Sequence, residues 1–156
     1  SEAVFGGVYK LAAVEKNGKI IPKIKISENP AKITLPGIKI PWRLYDRTTG
    51  KAIADVITLG DEKISSDEPY EIFDPEHTWK RKVVTDFVAK KLQVKIFSKG
   101  KQVYTSPSVK EISKFRAGQV DSLWDEVTRF ENPHTYYVDL SEKLWNLRDE
   151  LLNELH

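Results

Sequence analysis

Residues 5–43 read FGGVYKLAAVEKNGKIIPKIKISENPAKITLPGIKIPWR, and this stretch decides how the chain begins to fold. Pro30, Pro36 and Pro41 exclude a helix from its second part, because proline lacks a backbone N–H and restricts the residue before it. We predict an extended, cationic segment. It is either a sheet edge protected by lysines, which we favour, or a contact for phosphate or carboxylate. The basic residues between its isoleucines and leucines are Lys23, Lys25, Lys32, Lys39 and Arg43.

A β-hairpin is predicted at the start of the chain. The dipeptide Asn17-Gly18 separates two apolar runs and is a strong signal for a two-residue turn, so residues 4–14 and 20–26 are expected to pair. In the second run isoleucines and lysines alternate, which predicts one buried face and one solvated face. Pro22 then belongs at a strand start or edge, where no ladder hydrogen bond is needed.

The chain up to Tyr104 reads as further short strands joined by turns. Residues 61–76 are acidic and contain Pro69 and Pro75, so they are predicted to form a surface loop that holds one short strand. The carboxylates in this loop do not have the spacing of an EF-hand, which favours a solvated loop over a metal site. The predicted strands are residues 42–46, 51–59, 70–73, 79–84 and 92–97. The last of them is expected to form a short hairpin with residues 103–104 through a turn at residues 98–101.

The pattern becomes helical after residue 105. Ser108 and Glu111 form a capping-box signature, and apolar residues then recur at spacings of three and four. Gly118 lies inside this stripe, so the helix is expected to bend or split there, and Pro133 ends the segment. The apolar stripe consists of Val109, Ile112, Val120, Leu123, Val127 and Phe130.

A last helix is predicted after a short extended piece at residues 136–138. Asp139 with Glu142 is expected to cap this helix. The leucines predicted to form its buried face are Leu144, Leu147, Leu151 and Leu155. The predicted fold class is therefore α+β: an antiparallel, hairpin-rich β region over residues 1–105, followed by two C-terminal helices over residues 106–156.

Composition is that of a soluble globular protein, and the length of 156 residues suits a single domain. The chain contains no cysteine, which removes disulfides and thiolate chemistry and fits a cytoplasmic location. The sequence has no apolar run long enough to cross a bilayer and no signal-peptide pattern, so no membrane partner is expected.

Residues 80–101 are basic and lie among aromatic residues, a pattern typical of surfaces that stack on bases and contact phosphates. The other interpretation places the rings inside and the lysines outside. We favour it, because Leu92, Val94 and Ile96 alternate with Gln93 and Lys95. The near balance of 25 basic and 23 acidic residues also argues against a nucleic-acid binder. A stand-alone, basic, β-rich module for nucleic acid is kept as the alternative function. The rings concerned are Trp79, Phe87, Phe97 and Tyr104.

The residues of this chain form no recognisable active-site pattern. The sequence has no Walker-type loop, no GxSxG elbow and no HExxH. His134 is interpreted either as a site histidine or, with preference, as a turn residue that hydrogen-bonds a nearby helix end. We therefore assign no catalytic residue and no metal ligand.

Long motifs lie near both ends of the chain, GGVYKLAAVE, KIKISENPAKITLPGIK and RLYD, and then LWDEVTRFENPHTYYVDLSEKLW. In this order they resemble the motifs of the nicotinate phosphoribosyltransferases. In that family these segments follow the catalytic barrel, so the resemblance implies that residues 1–156 are a single C-terminal domain of a longer enzyme. It implies an enzyme of NAD salvage, which joins nicotinate and phosphoribosyl pyrophosphate to nicotinate mononucleotide with ATP hydrolysis.

The same resemblance sets the expectations for cofactors and partners. The family uses ATP and Mg, and its phosphorylated histidine and nicotinate-binding residues precede the GGVYKLAA-like segment. We therefore expect no cofactor on this chain and no turnover by the chain alone. The expected partner is the remainder of its own enzyme, the catalytic barrel and an N-terminal domain, with a homodimer as an option in the intact enzyme. No nucleic acid is expected as a partner.

By analogy with related nicotinamide-using enzymes, the candidate contacts for the substrate phosphates are Gly6, Gly7 and Lys25. Backbone N–H groups at a glycine pair can approach a phosphate closely, and a lysine supplies a point charge. For the two glycines a tight strand entry is an equally open interpretation. For Lys25 the favoured alternative is a solvated edge lysine.

Overall fold

The computed structural model of the chain describes residues 6–29 and 32–154. The architecture is α+β, which confirms the predicted fold class. The strands are β1 (Ala13–Lys16), β2 (Lys19–Pro22), β3 (Lys39–Asp46), β4 (Ala52–Leu59), β5 (Tyr70–Asp74), β6 (His77–Val84), β7 (Phe87–Lys91), β8 (Phe97–Ser98), β9 (Lys101–Gln102) and β10 (Val138–Leu140). The helices are α1 (Val109–Asp121), α2 (Asp125–Thr128) and α3 (Glu142–Asn153).

A four-stranded sheet forms the centre of the fold, in the order β10-β4-β3-β7. β3 and β4 form the predicted hairpin, and in its turn the Asp46 carboxylate accepts hydrogen bonds from the backbone N–H groups of Thr48 and Thr49. β7 extends the sheet antiparallel to β3, whereas β10 joins parallel to β4. This parallel pair departs from the antiparallel plan that the sequence predicts.

The main core lies between the central sheet and the β5–β6 hairpin. Alternate residues of β3 and β4 point into it, because successive side chains of a strand face opposite sides. Leu44, Val56 and Phe87 are fully buried there and pack with Ile72 of β5 and Val84 of β6. Buried and half-buried residues accordingly alternate along β4.

A second apolar cluster attaches α3 to the sheets. Phe73 of β5, Leu140 of β10 and Leu144 of α3 are buried together. Trp145 adds an edge-to-face contact with Phe73, with the ring centroids 6.1 Å apart. These contacts hold the last helix against the β5 side of the molecule.

The predicted cap of α3 is wrong. The N-cap is Ser141, whose hydroxyl accepts a hydrogen bond from the Leu144 backbone N–H at 3.2 Å. Asp139 lies instead within β10, where pairing with β4 buries it. Of the four leucines predicted on the buried face, Leu144 is buried, Leu147 and Leu151 are half-buried, and Leu155 lies outside the described residues.

The Asn17-Gly18 turn forms as predicted. Asn17 and Gly18 have φ angles of 52° and 74°, as this two-residue turn requires, and β1 pairs with β2 across it. Both strands are shorter than predicted, since residues 6–12 and 23–26 are not strands and residues 4–5 lie outside the described part. The predicted buried isoleucine face is also wrong, because Ile20 and Ile26 are exposed.

The strand predicted at residues 92–97 is wrong over most of its length. β7 ends at Lys91, and Leu92, Val94 and Ile96 are exposed. The Leu92 backbone N–H donates to the Pro41 carbonyl at 2.9 Å, but proline has no N–H to return a bond. The antiparallel ladder therefore stops there, and the chain leaves the sheet.

The favoured sheet-edge interpretation of the basic segment is wrong for Arg43, which is paired on both sides, with Asp55 of β4 and Lys90 of β7. Lys39 pairs with Leu59 of β4 but lies beyond the end of β7. The Lys39 ammonium donates to the carbonyls of Leu35 and Gly37, each at 2.7 Å, and burial lowers its pKa. The Lys39 side chain therefore stabilises the turn formed by residues 35–39.

The capping box of α1 forms as predicted, but the apolar stripe of the helix is not buried. The Ser108 hydroxyl accepts from the Glu111 N–H, and the Glu111 carboxylate accepts from the Ser108 N–H at 2.8 Å. The helix continues through Gly118 without a break and ends at Asp121. None of its residues is buried against the described part of the chain.

Replacing Phe87 by alanine is expected to lower the free energy of unfolding by about 3–4 kcal/mol, because a fully buried ring leaves a cavity. Phe97→Ala is the matched control. Its ring is 64% exposed, so a change below about 0.5 kcal/mol is expected. Urea unfolding of the chain measures both variants, and equal losses would contradict the placement of Phe97 outside the core.

Candidate functional site

A charged network joins three parts of the fold at the central hairpin. Arg43 and Asp55 are register partners on β3 and β4, and their side chains form two hydrogen bonds, Nε to Oδ1 at 2.7 Å and Nη2 to Oδ2 at 2.9 Å. The Tyr136 hydroxyl donates to the same Oδ1 at 3.0 Å, and Arg43 Nη1 donates to the Gln119 side-chain oxygen at 3.2 Å. The network therefore ties α1 and the segment before β10 to the sheet.

The ionisation of this network is fixed by its contacts. The hydrogen bond to Asp55 raises the pKa of the Arg43 guanidinium, although burial opposes the shift. Burial, followed by the charge of Asp55, raises the pKa of the Tyr136 phenol. The Arg43 guanidinium therefore stays charged and the Tyr136 phenol stays neutral at physiological pH, which suits a structural arrangement.

An open cleft of about 1030 Å³ lies between the end of β6 and residues 124–137. Trp124, His134, Tyr136 and Tyr137 form one wall, and Lys82 lies on the other. Trp124 and Tyr137 keep large exposed surfaces, so the aromatic wall can meet a planar or apolar group from outside the described chain.

His134 takes the turn position that the sequence favours, through its backbone. Its N–H donates to the carbonyl of Glu126 in α2 at 2.7 Å. Asn132, two residues earlier, has a φ of 46°, and its carbonyl accepts two hydrogen bonds from Arg129. The NPH sequence is thus a tight turn after α2, and the His134 side chain is exposed at the cleft.

A second, smaller pocket of about 270 Å³ contains two carboxylates. Asp139 of β10 is 3% exposed and lines this pocket with Asp74 of β5. Asp74 has a partner, the His77 ring, whose Nδ1 lies 2.9 Å from its Oδ2. The basic side chains on the wall of the pocket are Lys80, Arg81 and Lys82.

The two carboxylates have opposite pKa shifts. The hydrogen bond with the His77 ring lowers the pKa of Asp74. Burial raises the pKa of Asp139 to about 6, and the charge of Asp74 adds to the shift. A negative charge on Asp139 is therefore unfavourable in the folded chain, while Asp74 is stabilised as an anion.

The predicted phosphate contacts are on the surface. Gly6 and Gly7 are exposed, and a Cβ added at either would meet nothing within 4 Å. Lys25 is exposed as well, and its backbone N–H donates to Thr34 Oγ1 at 2.9 Å. No described contact joins the glycine pair to this lysine, so the chain alone does not assemble them into a site.

The described residues offer no ligand set for a metal. Within residues 6–29 and 32–154 there is no group of three or more histidine, aspartate or glutamate side chains that could hold an ion. Mg²⁺ needs oxygen ligands in near-octahedral geometry. We therefore assign no chemical step to a metal held by this part of the chain.

A sequence profile of the nicotinate phosphoribosyltransferase C-terminal domain matches residues 38–148. The chain belongs to this family. The match covers the central sheet, the β5–β6 hairpin, α1 and most of α3. The resemblance seen in the sequence motifs is confirmed, and the alternative of a stand-alone nucleic-acid module is not supported.

Individual nicotinate phosphoribosyltransferases give the same result. The protein of that name from Bacillus subtilis (strain 168) is 37% identical over 154 residues, which is 99% of this chain and 31% of the relative. The one from Dictyostelium discoideum is 30% identical over 94% of this chain and 25% of the relative. In the crystal structure of human nicotinic acid phosphoribosyltransferase, a similar region gives a TM-score of 0.68 at 25% identity, covering 76% of this chain and 24% of the human one.

The chain thus spans about a quarter to a third of the length of these relatives. No helix in the described residues is long and apolar enough to cross a bilayer.

Sequence reasoning missed both the Arg43–Asp55 pair and the burial of Asp139. The first depends on a bulge between Leu44 and Tyr45, which shifts the hairpin register by one residue and brings Arg43 opposite Asp55 instead of Ala54. The second has a weak signal, an aspartate inside the apolar run Val138–Leu140. Its burial depends on pairing with a distant strand, which no local pattern shows.

Asp139→Asn is expected to raise the free energy of unfolding by about 2 kcal/mol at pH 7.5 and to leave it nearly unchanged at pH 4. Because burial raises the Asp139 carboxyl pKa to about 6 from its ordinary value of 3.8, the folded state prefers the protonated form. Ionisation therefore reduces stability as the pH rises from 4 to 6, and this loss is complete above that range. An amide avoids the loss.

Urea unfolding at several pH values measures the effect, with Asp125→Asn as the control because the Asp125 side chain is fully exposed. The control should behave like the parent chain at every pH. A loss of stability at pH 7.5 in Asp139→Asn would show that the carboxylate has a favourable partner, which contradicts this assignment.

Proposed function

We propose that this chain is the C-terminal domain of an enzyme that joins nicotinate and phosphoribosyl pyrophosphate to nicotinate mononucleotide, in the salvage of nicotinate into NAD. The family match over residues 38–148 carries this proposal, together with the similarity of most of the chain to proteins named nicotinate phosphoribosyltransferase. Residues 1–156 act as one domain, with a β-rich part over 1–105 and a helical part over 106–156.

In the complete enzyme the domain supports the substrate site and supplies no catalytic residue. We assign the catalytic residues, and the groups that use ATP and Mg, to the remainder of the enzyme, because the described residues offer no group of side chains that could hold a metal ion. The domain packs on the catalytic portion and closes one side of the substrate site. A homodimer and a cytoplasmic location stay predictions of the same proposal.

A complementation assay tests the proposal. The chain is mixed with a separately produced upstream portion of a matching enzyme, and nicotinate, phosphoribosyl pyrophosphate and Mg-ATP are supplied. We expect nicotinate mononucleotide only when both pieces are present, since the chain alone lacks the reacting groups. Product from the pure chain would refute its inactivity, and a complete enzyme that makes no nicotinate mononucleotide would refute the function.

We also propose that Gly6, Gly7 and Lys25 contact the substrate phosphates in the complete enzyme. The support is their exposure: the space around the glycine pair is open, and the Lys25 ammonium is exposed to solvent. Backbone N–H groups without a neighbouring Cβ and a mobile ammonium are suited to an anion. The contact itself requires the remainder of the enzyme.

Lys25→Gln in the complete enzyme is expected to raise the KM for phosphoribosyl pyrophosphate by about 10-fold, the equivalent of about 1.4 kcal/mol, with little change in the melting temperature. Gly7→Ala should act in the same direction, because an added Cβ meets nothing in this chain but would meet a bound phosphate. Lys16→Gln, which removes an equally exposed charge beside the Asn17-Gly18 turn, is the control. Unchanged KM in both test variants would leave these residues as a strand entry and a surface lysine.

A further inference from the structure

Residues 94–118 form a projecting arm, defined here as the chain between the two points where it is bound to the central sheet. At the first point the Gln93 side chain donates to the Lys39 carbonyl at 3.0 Å. At the second point Gln119 accepts from Arg43, and the Ser122 carbonyl accepts from the Ala52 N–H at 2.7 Å. The arm contains the β8–β9 hairpin and most of α1.

The arm is not packed against the rest of the described chain. None of its residues is buried, and its side chains form hydrogen bonds only with other groups of the arm, among the described residues. Yet it is rich in apolar side chains, and Val109 and Phe115 are 83% and 68% exposed. The exposed apolar residues of the arm are Val94, Ile96, Phe97, Val103, Val109, Ile112 and Phe115.

Neither element of the arm is stable without a partner surface. A two-stranded hairpin is marginal in water, and so is an isolated helix shorter than about 12–15 residues. α1 has 13 residues, and its capping box contributes only about 1 kcal/mol. An amphipathic helix gains its stability mainly by burying its apolar face. The folded arm therefore implies a surface that covers it.

The exposed area of the whole chain, to which residues 6–11 contribute as well as the arm, shows that a large surface is uncovered. The chain exposes 11988 Å², whereas a folded monomer of 17.9 kDa exposes about 8,000 Å². The excess of about 4,000 Å² is several times the roughly 800 Å² that each partner buries in a standard interface. It also exceeds the share of one subunit in most permanent dimers.

We propose that residues 94–118 are an interdomain arm that docks on the remainder of the same enzyme, with Ile112 and Phe115 of α1 at the centre of the contact. This inference rests on the proposed function. The occupant is chosen because the relatives carry roughly two thirds or more of their length outside the region matched here, and because a second copy alone would not account for the excess area.

The charge of the arm indicates the kind of surface on which it docks. The arm carries six basic side chains and one acidic one, Glu111, which its own capping box uses. An apolar groove bordered by carboxylates is complementary to this distribution. The basic residues are Lys95, Lys99, Lys101, Lys110, Lys114 and Arg116.

Hydrogen exchange measured by mass spectrometry tests the docking directly. Peptides that cover residues 109–118 are compared in this chain alone and in the complete enzyme that contains it. We expect exchange in the complete enzyme to be slower by about 100-fold or more, because covered helices open rarely. Equal exchange in both proteins would overturn the proposal. Protection that disappears on dilution of the complete enzyme would assign the arm to a second copy and also overturn it.

Two substitutions locate the contact. Ile112→Glu combined with Phe115→Glu should leave the melting temperature of the isolated chain unchanged, because both side chains are exposed there, but should lower that of the complete enzyme and remove the protection of α1. Ala117→Glu adds one negative charge on the opposite face of the helix and is the control. Full protection in the double variant would overturn the assignment of these two residues.

The proposed activity can fail independently of the arm. A complete enzyme that protects residues 109–118 but forms no nicotinate mononucleotide would contradict the activity and support the arm. An active enzyme whose α1 exchanges as fast as in the isolated chain would support the activity and contradict the arm.

Discussion

The Arg43–Asp55 ion pair is the constraint on which the arrangement of the fold depends. The two side chains are only 17% and 14% exposed, and a charge pair so far removed from water is stable only when its remaining hydrogen-bonding capacity is used. Asp55 accepts from Tyr136, and Arg43 donates to Gln119. The end of α1 and the approach to β10 are therefore fixed on the sheet by the needs of one pair of charges.

The same docking of β10 creates the cost at Asp139. β10 pairs in parallel with β4, with Val138 opposite Asp55 and Asp139 opposite Val56. This register brings Tyr136 to the ion pair and, at the same time, places the Asp139 carboxylate beside Asp74. Leu140 and the apolar cluster under α3 offset the cost. One carboxylate of the sheet is thus fully satisfied while a second is buried at the expense of stability.

Local signals predicted the parts of the fold that depend on a few neighbouring residues. The Asn17-Gly18 turn, the hairpin at residues 47–50 and the Ser108–Glu111 box each act within a span of four residues, and each is present. The parallel pairing of β10 with β4 joins segments far apart in sequence, and no local pattern contains it. The prediction that Asp139 caps a helix fails for this reason, because the neighbours of Asp139 in the sequence do not reveal its partner strand.

The errors over α1 and residues 92–97 have a different physical origin. Hydrophobic periodicity shows that one face of an element is buried, but it does not show whether the covering surface belongs to the same segment of chain. In residues 94–118 the pattern is strong and the burial is absent from the described structure. The sequence records contacts of the complete folded protein, so a core list derived from the pattern is larger than the core that this chain can build alone. Membership of a family whose proteins are several times longer is the condition under which that difference is expected.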